Sequence, residues 1–210
     1  MLDFEVPYQT PRAIVPPVAP SIESSRLILR PATDADMPAL FAVRCRPEVA
    51  VTNFPKEPFL SLEQTRKWWA AKVFTKPAAY IGRSFGFVIV DKAIPVTEEQ
   101  VIGYVCIHVV EPSPEIGYSL LPESWGKGFA TEALRMLLKM WWDLPRRSSG
   151  DDDRVEKIYA SFYKTNPASQ AVLAKCGFEN VDEIHSEEMY LYVLAKPTSQ
   201  DAGEELYHYI

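Results

Sequence analysis

One stretch constrains the fold more than any other: Glu115 to Ala130, reading Glu-Ile-Gly-Tyr-Ser-Leu-Leu-Pro-Glu-Ser-Trp-Gly-Lys-Gly-Phe-Ala, with the residues that follow it. An apolar run of strand length enters a turn with glycines at 126 and 128. Ala130, Ala133, Leu134, Leu137, Leu138 and Trp141 then recur at i, i+3, i+4, i+7 spacing. The pattern predicts a strand, a tight turn and an amphipathic helix in immediate succession. The glycines let backbone approach a ligand closely, and the new helix points unpaired N–H groups at the same place. Such a turn suits a phosphate or pyrophosphate. A Gly-x-Gly alone specifies little, so its neighbours decide.

Those neighbours read as an ordered series. Leu27, Ile28 and Leu29 end at Pro31 as a first strand. Thr33-Asp34-Ala35-Asp36 starts a helix carrying Met37, Leu40, Phe41 and Arg44, and Ser61-Leu62-Glu63-Gln64 starts a second through Trp68, Trp69 and Phe74. Strands are expected at Phe85–Val90, Val101–Val110 and Glu115–Leu120, and after the long helix at Lys157–Tyr163. A short helix from Pro167 to Cys176 and strands near Val181–Ile184 and Met189–Leu194 complete the list. The order β-α-α-β-β-β-α-β-α-β-β predicts a mixed sheet covered by helices, not a doubly wound nucleotide fold. Residues 1–22, with five prolines, are expected to be an extended arm, 23–197 the folded domain, and 198–210 a polar tail. Pro145–Arg154, where two arginines meet three aspartates, reads as a mobile loop.

Bulk properties narrow the function. No apolar run approaches the roughly 18 residues that cross a bilayer, so no membrane role is expected. The start of the chain carries Asp3 and Glu5, unlike a secretory signal. Three widely spaced cysteines, Cys45, Cys106 and Cys176, suit reduced thiols in a cytoplasmic or nuclear protein. A net charge of −6 argues against a nucleic-acid partner and would suit a cationic substrate. There is no Cys-x-x-Cys or His-Glu-x-x-His, so no metal site is expected. Gly82-Arg83-Ser84-Phe85-Gly86 matches a hydrolase Gly-x-Ser-x-Gly, with His185 and His208 downstream. The serine runs into a strand pattern instead of a helix, which excludes a nucleophile elbow.

Three features line up: the Trp125–Ala130 turn after its strand, Asn166-Pro167-Ala168-Ser169 after the next strand, and Lys175-Cys176-Gly177-Phe178 at a helix end. With the opening Arg26-Leu27-Ile28-Leu29-Arg30-Pro31, this combination resembles the GNAT superfamily of acetyl-coenzyme A-dependent N-acetyltransferases, in the branch of the ribosomal-protein alanine N-acetyltransferases. The resemblance spans about Ile22 to Lys196 and implies an α/β (α+β) fold: a mixed, mostly antiparallel central sheet of about seven strands with about four helices. It implies acetyl-CoA as co-substrate, held by Ser119, Leu120, Leu121, Trp125, Gly126, Lys127, Gly128, Phe129, Ala130, Thr131, Asn166 and Ser169. It also implies that the strand at Tyr118–Leu121 splays from its neighbour to admit the pantetheine arm. Trp125 stands where many members have Gln or Arg, and Leu173 where many have a tyrosine acid. In the resembled branch a serine at the position of Ser169 hydrogen-bonds the sulfur instead.

The reaction needs a neutral amine, a donor for the developing oxyanion, and a proton or hydrogen bond for the thiolate. Glu115 is the candidate base, provided burial raises its pKa from about 4.3 toward neutrality. Asn53, Phe54, Tyr118 and Tyr190 are expected at the acceptor, with Phe59 and Tyr192 in the cleft wall. His108 shares a strand face with Tyr104 and Cys106, where it could line the acceptor cleft, and reads more simply as a satisfied surface histidine. The expected acceptor is a primary amine, on a peptide N-terminus or a small molecule, served by a monomer or homodimer. A coenzyme A-binding module without turnover is the alternative. Glu115 and Ser169 together favour the enzyme.

Overall fold

Strand alternation sorts the apolar residues onto two faces of one sheet, and helices then cover both. The computed structural model describes residues 11–96, 99–148, 154–184, 188–197 and 208–209. In chain order the elements are β1 (Ile22–Glu23), β2 (Leu27–Pro31), α1 (Met37–Arg44), α2 (Pro47–Ala50), α3 (Leu62–Ala70), β3 (Phe85–Asp91), β4 (Val101–Val109), β5 (Glu115–Leu120), α4 (Phe129–Asp143), β6 (Lys157–Tyr163), α5 (Pro167–Lys175), β7 (Glu179–Ile184), β8 (Met189–Ala195) and β9 (His208–Tyr209). The sheet runs β7-β8-β6-β5-β4-β3-β2-β1-β9. Every pairing is antiparallel except β5 with β6. The seven strands β2 to β8 and the four helices α1, α3, α4 and α5 match the sequence reading; the one-turn α2 and the two-residue β1 and β9 are additions.

On one face Val88, Val90, Tyr104 and Cys106 pack against Met37, Leu40 and Val43 of α1. On the other, Phe85, Phe87, Ile89, Val105 and Ile107 pack against Leu134, Leu137 and Trp141 of α4. Phe85 meets Trp141 edge-on at 5.4 Å, the geometry aromatic quadrupoles favour.

One element is shorter than expected, and the expected extended arm proves to be packed on the domain. The second helix stops at Ala70, short of Phe74, which turns into the core while its N–H bonds the Arg83 carbonyl at 2.8 Å. The arm, from Pro11 onward, is packed: Ala13, Val15, Ala19 and Ile22 are buried, and the Tyr80 hydroxyl lies 2.6 Å from the carbonyls of Pro11 and Ala13. Ile14 N–H bonds the Pro145 carbonyl and Arg147 N–H that of Arg12, so the start of the expected mobile loop is tied to the arm. Residues 149–153 of that loop lie outside the described residues, as does His185, and only the backbone of His208 is described. Among the described residues no helix is long and apolar enough to cross a membrane, and no cluster of His, Cys, Asp and Glu forms a metal site.

Candidate active site

The parallel pair β5–β6 is where the sheet opens. The two strands are in register only at Glu115 and Tyr159, where Tyr159 N–H bonds the Pro114 carbonyl at 2.8 Å. Beyond Glu115 they diverge. A Cβ built on Gly103 of β4 would lie 2.2 Å from the Ser119 carbonyl oxygen, so that carbonyl faces β4. Main-chain alternation then turns the groups of Tyr118 and Leu120 toward the open edge. The Leu120 carbonyl there accepts the Trp125 indole N–H at 2.9 Å, folding the turn back onto β5.

Two cavities occupy the wedge. The larger, about 350 Å³, is lined by Ser119, Leu120, Trp125, Gly126, Gly128, Phe129, Ala130, Thr131, Asn166 and Ser169 among others. Its far end is the start of α4. Gly126 and Gly128 hold φ of +73° and +81°, a region L side chains rarely enter. The Glu132 N–H reaches the Gly128 carbonyl, and the amides ahead of it are those that helix geometry leaves unpaired. Arg26 braces this turn: its guanidinium donates to the Lys127 carbonyl at 3.0 Å and to Glu132 at 2.8 Å, 4.8 Å from the Phe129 ring. Of the residues expected here, Leu121 and Lys127 do not line the cavity. Leu121 packs against the α1 side of the sheet, and the Lys127 side chain is exposed.

The smaller cavity, about 160 Å³, is lined by Asn53, Phe54, Trp68, Lys72, Tyr104, Cys106, His108, Glu115, Ser161 and Met189 among others. Both cavities include Thr52, Tyr118 and Ser169, so these three residues form a shared neck. Asn53 and Phe54, expected at the acceptor, both line this smaller cavity, with Asn53 Oδ1 accepting from the Ser119 hydroxyl at 3.0 Å. Tyr190 is not at the site. Strand alternation in β8 places its ring 5.7 Å from Phe162 and 6.4 Å from Tyr192, in the aromatic core under the sheet. Phe59 and Tyr192 are likewise buried outside the cavity.

Glu115 exposes 27% of its side chain, toward the cavity. Burial by the surrounding protein pushes its pKa above the ordinary carboxylate value, against the opposing Ser161 hydroxyl that donates to it and the charge of Lys72. His108, for which the sequence offers either the cleft or a satisfied surface position, lines this cavity with its Nε2 3.8 Å from Glu115 and its Nδ1 buried without a partner. Burial, then Lys72, lowers its pKa to about 3, so the ring is neutral. Burial raises the Cys106 thiol, which therefore stays protonated.

At the neck Ser169 is held by the cap of α5: its N–H bonds Asn166 Oδ1 at 3.1 Å, and its hydroxyl accepts from Asn166 Nδ2 at 2.9 Å. That leaves the serine hydrogen free to donate. Tyr118, placed with the acceptor residues from sequence, points to the α4–α5 face, where its buried hydroxyl has no hydrogen-bond partner. Burial raises its pKa; the nearby Ser169 offsets part of that shift without reaching hydrogen-bond geometry. Sequence reasoning missed Thr52, Lys72, Ser161 and Arg26. Of these, Ser161 stands out as the serine between Ala160 and Phe162 in Lys157–Tyr163, and Arg26 belongs to the strand-opening motif.

Ser84 leads directly into β3, confirming that no nucleophile elbow exists there. The model of the GNAT acetyltransferase domain matches residues 26–179. The chain is 30% identical over 166 residues to the uncharacterized N-acetyltransferase YoaA of Bacillus subtilis (strain 168), covering 76% of this chain and 83% of that protein. Among solved structures, the ribosomal L7/L12 α-N-protein acetyltransferase RimL in complex with coenzyme A shares the fold with a TM-score of 0.59 at 19% identity, covering 82% of this chain and 95% of RimL. The spermidine N-acetyltransferase of Vibrio cholerae, in complex with CoA and spermine, does so with a TM-score of 0.58 at 19% identity, covering 82% and 97%. The matched domain takes in the strand wedge, the glycine turn and the neck alike: the chain belongs to the GNAT acetyltransferase family and is an acetyltransferase.

Proposed function

We infer that the protein moves the acetyl group of acetyl-CoA to a primary amine by direct attack, with both substrates bound at once. The observation that supports this most is the shared neck: a channel ending at unpaired helix amides meets a chamber holding a carboxylate, through Thr52, Tyr118 and Ser169. The residues present fit the co-substrate. Amides from Gly126 to Thr131, with the positive end of α4 behind them, suit its diphosphate. The open edge at Tyr118 and Leu120 suits its amide-bearing arm, which pairs as an added strand would. Acetyl-CoA supplies an activated acyl group and a thiol leaving group.

The side chains divide the remaining work. Glu115 takes the proton from the incoming amine, and its raised proton affinity makes it a better acceptor than an ordinary carboxylate. The Ser161 hydroxyl fixes its orientation. Neutral His108 neither competes for that proton nor adds a charge beside it. Ser169 and Tyr118 each carry a hydroxyl hydrogen at the neck, suited to charge that develops on the departing sulfur. Asn166 positions Ser169. No thiol in the chamber is ionised, which favours direct attack over an acetylated cysteine.

Thiol release from acetyl-CoA, followed with a panel of primary amines, tests the reading. Amine-dependent release is expected. Tight acetyl-CoA binding with no release on any amine would support the module without turnover instead.

A further inference from the structure

The whole chain is acidic, yet the acceptor chamber is not. Its lining carries two formally charged groups, Glu115 and Lys72. His108 is neutral and the Cys106 thiol protonated. The Lys72 ammonium lies 5.2 Å from the centre of the Trp68 ring, which also lines the chamber. Just beyond the end of α3, Lys72 lines the chamber together with Glu115, His108 and Cys106. Among the described residues no carboxylate pairs with Lys72. At the rim, Lys56 stands 3.8 Å over the Tyr163 ring, also without an ion pair among the described residues. The other nearby cation, Lys164, is neutralised by Glu183. The chamber lining therefore holds one cation, Lys72, and one carboxylate, Glu115, with Lys56 at the rim.

The chamber volume of about 160 Å³ is below the roughly 300–1,000 Å³ typical of sites that enclose a drug-sized ligand. It takes the head of an acceptor. A polyamine or aminoglycoside would bring a second cation into a site where Glu115 is the lone anion. An acceptor with its own anion would place amine at Glu115 and anion at Lys72, satisfying both.

Building on the acetyl-transfer reading, we propose that the acceptor is an amine bearing a carboxylate a few bonds from its nitrogen, with Glu115 receiving the amine and Lys72 the carboxylate. A free amino acid and a peptide starting with an acidic second residue both present this chemistry.

The test compares matched acceptors: alanine against alaninamide, Ala-Asp and Ala-Glu peptides against Ala-Asn and Ala-Lys peptides, and spermidine. Thiol release gives kcat/KM for each, and calorimetry gives affinities in the absence of acetyl-CoA. A carboxylate-bearing acceptor should exceed its neutral partner by about tenfold, the lower range for a hydrogen bond to a charged group. Preference for alanine names the free amino acid as the source, and preference for Ala-Asp the peptide. Lys72→Met should bring the ratio close to one, and Lys72→Glu should turn preference toward spermidine. Equal values for acid and amide, or spermidine preferred by the wild type, would overturn the proposal while leaving acetyl transfer intact. If no amine is acetylated but calorimetry still prefers the acid, the transfer reading fails, while the pairing of amine with Glu115 and carboxylate with Lys72 stands as a ligand assignment.

Discussion

At the scale of single residues the account rests on Glu115 and the neck hydroxyls. Glu115→Gln should reduce kcat by about 10²–10⁴-fold, the range for loss of a general base, with little change in acetyl-CoA affinity. Wild-type kcat should rise with pH as the carboxyl deprotonates, with its midpoint above the ordinary value of about 4.3, because burial holds the proton on. A profile flat from pH 4 to 8, or a glutamine variant of normal kcat, would remove Glu115 from the reaction. Tyr118 offers a sharper separation. Its buried hydroxyl has no partner, a condition that costs about 1–3 kcal/mol. Tyr118→Phe should therefore keep or raise Tm while lowering kcat. Loss of stability together with activity would mark the hydroxyl as structural.

At the scale of elements, the turn before α4 was the most legible part of the chain. Its signal is local: two glycines between an apolar strand and an unbroken helical stripe. Gly128→Val forces a β-branched residue to φ of +81°, and should abolish the thermal protection that acetyl-CoA gives the wild type. Arg26→Met should weaken acetyl-CoA binding less severely, since it frees the Lys127 carbonyl but leaves the helix amides. Arg26 was legible only as part of a strand-opening motif, because its partners lie 101 and 106 positions away. Tyr190 failed for a related reason. Alternation tells that β8 has two faces, but only the neighbours Phe162 and Tyr192 decide which one is core. The chamber residues Lys72 and Ser161 come from separate elements whose meeting no local pattern encodes.

At the scale of the molecule, the prolines of the start predict an extended chain that could lie free or pack along the domain, and which of the two holds is not legible, since prolines rule out helix without saying what the chain lies against. The structure ties it down through Glu156, a buried carboxylate 2.9 Å from both Arg12 and Arg146. Glu156→Gln should cost roughly 2 kcal/mol, below the 3–5 of a fully buried pair since Arg12 is partly exposed. For a chain of this length that is about 4–8 °C in Tm. The pH dependence of stability has a definite sign. His108 folds with its pKa lowered to about 3, so the unfolded chain binds a proton near pH 6.5 that the folded chain refuses. Asp36 is pushed up by burial but brought below its usual range by Arg30, at 2.6 Å, and by Thr33. Stability from both should be lost as pH falls: first below about 6.5, then further through the carboxylate range near 3.9. Glu115, whose raised pKa acts in the opposite sense, is taken out of the balance in Glu115→Gln, where a denaturant midpoint unchanged from pH 7 to 4 would contradict the neutral, buried histidine. The most direct test of the central claim is mass spectrometry of both protein and acceptor after incubation of wild type and Glu115→Gln with acetyl-CoA and an amine. One acetyl group on the acceptor nitrogen, formed by the wild type and not appreciably by the variant, with the protein mass unchanged, is the predicted result. An acetyl group retained on the protein, or equal product from the variant, would contradict direct transfer assisted by Glu115.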